Sequence, residues 1–553
     1  MAQQYNENHR TIGGAPEGFD AHLLAKALAE GKGPVMHIAR DDARLAATRT
    51  ALGLFAPEIP VFVFPAWDCL PYDRVSPNAE ISAARMAVLA ALAAGFDRPF
   101  ILLTTVAAVT QRVPARETLQ SASFVAEVGR RVDEKALRDF FARMGFVQAP
   151  TVTEPGDFAI RGGLIDVYPP GDSGPVRLDL FGDVLDGARR FDPVSQRTTE
   201  SLQRLELAPV SEVILDEASI QRFRQNYRIE FGAAGTDDPL YEAVSAGRKH
   251  QGIEHWAPFF HEKMETLFDY LPQAQVFLDD RTTQARLSRW ESIADQYDAR
   301  KEALSNKSRM DSVYKPCPPH LLYLDDAAFE VEISDLAVKQ FSVLPQGTGP
   351  NVTDAGGRLG RSFAPERQQE TISLFGALAD HIRERQKNGN VVIASYSEGA
   401  RERLGGLLAD QDINGAVEIA KLGDLKGSGT VALAVWPLEQ GFEAKDLTVI
   451  SEQDVLGDRL IRSPRRKRRA ENFLTEAQSL TPGDLVVHLS AGIAVWRRFR
   501  RPAHPMTVSC WNMPITTGCI CRSKTSSFCP VSATRKACWT VWAAGRGRRK
   551  RQS

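Results

Sequence analysis

Three short apolar stretches, Pro34–Ala39, Val61–Phe64 and Pro99–Thr105, alternate with helix-length segments over residues 1–120. The segment FDAHLLAKALAEG precedes the first, and an Ala/Leu-rich helix from about Ala79 to Ala94 precedes the third. A strand that reaches the next through a helix must cross over the sheet, and crossovers give parallel pairing. The beginning of the chain is therefore expected to be an α/β domain.

The pattern changes from about Phe124 to Pro209, where short strands are punctuated by Gly and Pro: GDFAIRGGLIDVYPPG, then PVRLDLFGDVLDGARRFD. Two-residue alternation puts Val176, Leu178 and Leu180 on one face and Arg177, Asp179 and Phe181 on the other. This reads as a small inserted β-rich domain with an arginine and an aromatic ring on its open face. Residues 210–350 mix helices with aromatic-rich pieces such as GIEHWAPFFHEKMETLFDYL, and the Gly-rich Pro345–Gly360 reads as a linker. A second α/β unit follows: a helix over Glu366–Lys387, a strand at Val391–Ser395, a helix over 398–410, and strands at TVALAV and LTVI. The basic run Arg462–Asn472 then precedes a last module that starts LTPGDLVVHLSAGIAVW. With 553 residues, several cores are needed. No apolar run approaches the roughly 18 residues of a membrane span. The N-terminus lacks the layout of a secretory signal. A cytoplasmic location without membrane contact is expected.

Charge is unevenly placed. Residues 497–553 hold 13 Lys/Arg and no carboxylate, which leaves 55 basic and 69 acidic residues before them, a net charge of −14. A body that acidic has no general attraction for nucleic acid. Five of the seven cysteines also lie in this tail; only Cys69 and Cys317 lie outside it, which suits a reducing compartment. The tail has three readings. Its cysteine spacings are unlike the paired ligands of a zinc module. A basic nucleic-acid arm explains the charge but not Trp511, Trp539, Trp542 and the cysteines. Translation in a shifted frame explains all of these together.

Gly13 and Gly18 have the spacing of a phosphate-binding loop, GxxxxGK[ST], ahead of a helix. In a working loop the Lys reaches the β/γ-phosphates and the hydroxyl holds Mg²⁺. Phe19 and Asp20 stand in those places: a ring brings no positive charge, and a carboxylate repels phosphate. Pro16 removes one backbone donor besides. No DExx-type acidic box follows a suitable strand, and no second GK[ST] loop, HExxH or GxSxG occurs. His255 and His261, six residues apart among aromatics, read as structural. The expectation is a non-functional loop, with no catalytic residue and no metal site.

The strings Phe64–Leu92 (FPAWDCLPYDRVSPNAEISAARMAVLAAL), Glu154–Gly171, Val176–Thr198, GRSFAPERQ and ISEQDVLGDRL resemble the N-terminal half of bacterial transcription-repair coupling factor. The resemblance covers about residues 10–490 and implies a multidomain α/β fold. Its first half would be similar to the excinuclease subunit UvrB, with a degenerate P-loop-type α/β domain. The implied boundaries are 1–122 for that domain, 123–209 for an inserted α+β UvrA-binding domain, and 210–345 for a further UvrB-like part. A linker (346–365), a small α/β domain (366–460) and a basic linker (461–476) would follow. Residues 477–496 would begin an RNA-polymerase-interaction domain, partial and β-barrel-like, and 497–553 would be an aberrant Cys/Trp tail. The family's UvrA-recruiting arginines and aromatic fall on Arg161 of the GxFAxRG motif and on Arg177 and Phe181 of RLDxF. Pairing of the two arginines with Asp166, Asp179 or Asp183 remains open as a local alternative.

The implied partners are UvrA and, through the polymerase-interaction domain, the RNA polymerase β subunit. Pro482–His488, Gly492 and Ile493 match that domain's opening string, but Ser490, Ala491, Ala494 and Val495 depart from it and the match ends near Arg497, which argues against the second contact. The family's superfamily 2 motor, which uses ATP and Mg²⁺, has no counterpart in this sequence. An adaptor with no cofactor of its own, truncated or frameshifted and touching DNA weakly at most, is expected. The competing readings are a nucleotide-dependent DNA enzyme, which needs Lys and Ser/Thr at 19 and 20, and a nucleic-acid binder acting through Arg462–Arg469 and the tail.

Overall fold

The computed structural model describes residues 9–457 except 32, 233–237, 306–312, 348 and 370–372, and beyond them only the backbone of four strands. It forms a mixed α/β arrangement of several cores within one compact unit, followed by a second unit. The basic run Arg462–Asn472 and most of the Cys/Trp tail lie outside the described residues. The second unit's strands Leu485–His488, Gly492–Arg500, Thr507–Asn512 and Trp539–Thr540 pair antiparallel. No described helix is long and apolar enough to cross a membrane.

The first sheet has seven strands, all parallel, in the order Val352–Asp354, His9–Gly13, Ala337–Phe341, Gln275–Leu278, Val35–Ala39, Ile101–Thr105, Val61–Phe64. Both faces are covered by helices, so Val35–Ala39 and Ile101–Thr105 are buried at every position. The stretches 1–122 and 210–345 thus share one sheet, and the Gly-rich connection contributes its edge strand.

Residues 124–207 leave this sheet and build their own. Six strands run in the order Thr198–Leu202, Val184–Phe191, Val176–Phe181, Leu164–Val167, Asp157–Arg161, Val147–Gln148, antiparallel except at the last pair. The inner face packs Ile165, Val167, Val176, Leu178 and Leu185 against Phe140 and Phe141 of helix Glu134–Arg143. Asp133 caps that helix, accepting from the Lys135 and Ala136 amides.

The second α/β module places four parallel strands in the order Leu447–Ser451, Asn390–Ser395, Val431–Val435, Val417–Ile419, extended antiparallel at one edge by Phe442–Glu443 and Arg358–Leu359. The single helix expected over Glu366–Lys387 is two, Ala364–Gln368 and Leu374–Gln386. Ser373 caps the second through the Gly376 amide. This module and the first sheet share a core in which Phe19, Leu24 and Leu52 meet Trp436, Leu438 and Phe442. That seam holds the first site of interest.

Candidate functional site

Strand His9–Gly13 delivers the chain into the loop Gly14–Gly18, and helix Phe19–Glu30 leaves it. In a phosphate-binding loop the amides would point at an anion. Here protein acceptors take them. Gly14 N–H donates to Leu344 O and Ala15 N–H to Ser342 O, while Gly18 and Ala21 N–H both donate to the Asp20 carboxylate. The chain closes over the loop as well: Ala355 and Gly357 N–H donate to the carbonyls of Gly13 and Gly14. Gly14 has φ +63°, and a Cβ there would come within 2.5 Å of the Asp354 carboxylate.

Phe19 is buried, with its ring centroid 5.6 Å from that of Phe442. A Cβ on Gly18 would meet Trp436, Leu438 and Phe442 at 3.2 Å. Side chains of the second α/β module therefore fill the space in front of the loop. The residues present do not fit a nucleotide phosphate.

Among the described residues no DExx-type acidic box follows a strand, but one strand does end in carboxylates. Strand Gln275–Leu278 ends in Asp279–Asp280, and Asp279 lies buried beside Asp20 at the carboxyl end of the same sheet. An acidic residue at such a strand end is what holds Mg²⁺ in phosphate-loop enzymes. The sequence signal was the string QVFLDD, an apolar strand followed by carboxylates. Asp20, His37 and Asp279 offer ligand atoms within 4.8 Å of one another. The cation between the carboxylates is nevertheless a side chain. Arg44 pairs with Asp20 and, through Nε at 3.2 Å, with Asp279. Arg40 bridges Asp279 at 3.2 Å and Glu17 at 2.7 Å. Asp20, Arg44 and Asp279 are each 3% exposed or less, so this is an internal ion network.

His37 is fully buried under this network, and neither ring nitrogen has a hydrogen-bond partner. Burial holds its pKa down at about 4, and burial does the same to His255. Both rings are neutral when folded, whereas the unfolded chain takes up a proton near pH 6.5. Their stabilisation is thus complete above about pH 6.5 and drains away as pH falls towards 4, by up to roughly 3 kcal/mol for each. The thermal midpoint is expected to hold from pH 7.5 to about 6.5 and to drop steadily from there to pH 5; an unchanged midpoint would contradict this.

The second site lies on the inserted domain. Its outward face carries Arg177, partly exposed, and Phe181, 83% exposed, while Val176, Leu178 and Leu180 are buried beneath. Arg161, exposed, ends the strand two places along the sheet. The three expected residues therefore stand on two strands of one sheet, with Leu164–Val167 between them. The local pairing is present too. Asp166, 4% exposed, accepts from Arg177 Nε at 2.7 Å and Nη2 at 2.8 Å, with Arg161 Nη1 at 4.0 Å. That pairing holds the Arg177 guanidinium above the Phe191 ring, 4.9 Å from its centroid. The arginine is thereby fixed in place rather than withdrawn from the surface.

Residues 124–213, the whole of this domain, match the family model of the UvrB interaction domain. Residues 384–455, most of the second α/β module, match the "MFD, D3 domain". Among curated proteins, the transcription-repair-coupling factor of Escherichia coli is 30% identical over 492 residues, covering 88% of this chain and 41% of its own length. The chain fits an N-terminal fragment of a transcription-repair-coupling factor. That of Haemophilus influenzae is 29% identical over 506 residues, 88% of this chain and 42% of its own length. That of Bacillus subtilis is 25% identical over 464 residues. The chain spans about two fifths of the length of the first two coupling factors.

Proposed function

We propose that this chain is an adaptor in transcription-coupled repair that recruits UvrA through the outward face of its inserted domain. The observation that carries this is the Arg161, Arg177 and Phe181 constellation, which lies inside the matched UvrB interaction domain. Phe181 is the most exposed large apolar side chain among the described residues. Aromatic and arginine side chains are the types that dominate protein–protein hot spots. The adaptor has no nucleotide hydrolysis at Gly13–Asp20, a reading supported by the internal pairing of Asp20 and by Phe442 and Trp436 against the loop. A contact with RNA polymerase belongs to the family's later domain and depends on residues after 477.

The test is binding of the full chain to purified UvrA, with and without the pair Arg161→Ala plus Phe181→Ala. Hot-spot truncations typically cost 2 kcal/mol or more each, so the pair should weaken binding roughly 100-fold or more. Both side chains are exposed, so the thermal midpoint should stay with the parent's. Undiminished binding by the double variant would overturn the assigned surface.

A further inference from the structure

Cross-strand register decides which side chains share the outward face. Arg161 lies opposite Leu164, and Leu164 lies opposite Asp179. The next row runs Ala159, Asp166, Arg177, Arg189. Directly paired residues project from the same side of a sheet, and diagonal neighbours on that side remain within reach of an aromatic ring. Phe181 is the diagonal neighbour of Leu164, two residues beyond Asp179. Leu164 is 38% exposed, whereas Ile165 and Val167 on the same strand are fully buried on the inner face. An open leucine thus stands between Arg161 and the Phe181 ring.

The charges around this pair are unequal. Arg161, Arg177 and Arg189 share the face with Asp166 and Asp179, and Asp166 is already buried beneath Arg177. A guanidinium has five donors, and Arg177 spends two on Asp166. The face is therefore apolar at Leu164 and Phe181, and the arginines gather at its Leu164 end, Arg161 and Arg177 meeting one buried carboxylate there, while the exposed Asp183 and Asp186 lie beyond Phe181.

We propose that Leu164 is a second apolar anchor of the docking surface, and that the segment of UvrA it receives presents an apolar residue flanked by carboxylates. This rests on the docking reading above. The experiment measures affinity of the full chain for purified UvrA in five variants, one of them Phe181→Ala. Leu164→Ala should weaken binding about 10-fold and Leu164→Glu about 100-fold. Leu164→Lys, which loses the same apolar contact but suits a carboxylate, should bind at least several-fold more tightly than Leu164→Glu. Ile229→Glu, on the exposed face of helix Glu217–Phe231 outside this domain, should match the parent. Parental affinity of Leu164→Glu, with Phe181→Ala still impaired, would overturn the anchor and leave the docking surface standing. Equal losses for Lys and Glu would overturn the acidic partner. Parental affinity of both Leu164→Glu and Phe181→Ala would remove the docking surface itself.

Discussion

Replacing Arg44 by alanine is expected to lower the thermal midpoint of this chain by on the order of 10 °C. Arg44 is the cation between Asp20 and Asp279, and all three are almost completely buried. Removing one member of a buried ion network leaves the others charged without compensation, which costs about 3–5 kcal/mol. Arg40 remains on Asp279, and its other pairs are with Glu17 and Asp41 rather than Asp20, so it relieves only half of the loss. Arg44→Lys should be nearly as damaging, because a point charge on a flexible stem cannot reproduce two contacts made by a planar fork. Circular dichroism melts of parent and variant check this, and a shift of under about 2 °C would show that the network carries little of the stability.

Giving positions 19 and 20 the residues of a working phosphate loop, Phe19→Lys with Asp20→Thr, is expected to destabilise the chain rather than create a nucleotide site. Burial of a phenylalanine contributes about 1.5–3 kcal/mol, and the ring is lost from a cluster that includes Phe442 and Trp436. A lysine in the same place must be buried without a partner or break the seam to reach water. The loss of Asp20 also frees the Gly18 and Ala21 amides and half of the Arg44 pairing. Together these costs should exceed about 4 kcal/mol, enough to unfold the seam between the two α/β modules at modest denaturant. A variant that melts with the parent would show that the seam does not depend on these residues.

The two effects share a cause. Both act where the two α/β modules share a core, at the Asp20–Arg44–Asp279 network and the cluster of Phe19, Phe442 and Trp436. On the proposed reading of a decayed phosphate loop, Arg44 stands where a cation would be and the aromatic cluster fills the nucleotide's volume.

Much of this was legible in the sequence, but unevenly. Strands at Val35–Ala39, Val61–Phe64 and Ile101–Thr105 announce themselves as apolar runs between helices. Their partners do not. Gln275–Leu278 and Ala337–Phe341 enter the same sheet more than 150 residues later, and pairing across an inserted domain leaves no local trace. That is why Asp279 was missed beside Asp20, although its own signal was present. Alternation alone put Arg177 and Phe181 outward, as observed. The roles of Asp166 and Leu164 depend on register between three strands, which one strand's pattern does not contain.

The most direct measurement is a calorimetric titration of Mg-ATP into the purified full chain, run beside the Phe19→Lys, Asp20→Thr variant. No saturable heat is expected from either protein at millimolar nucleotide, since Arg44 and the Phe442–Trp436 cluster occupy the site in both. Micromolar, magnesium-dependent binding by the unaltered chain would contradict the account at its centre.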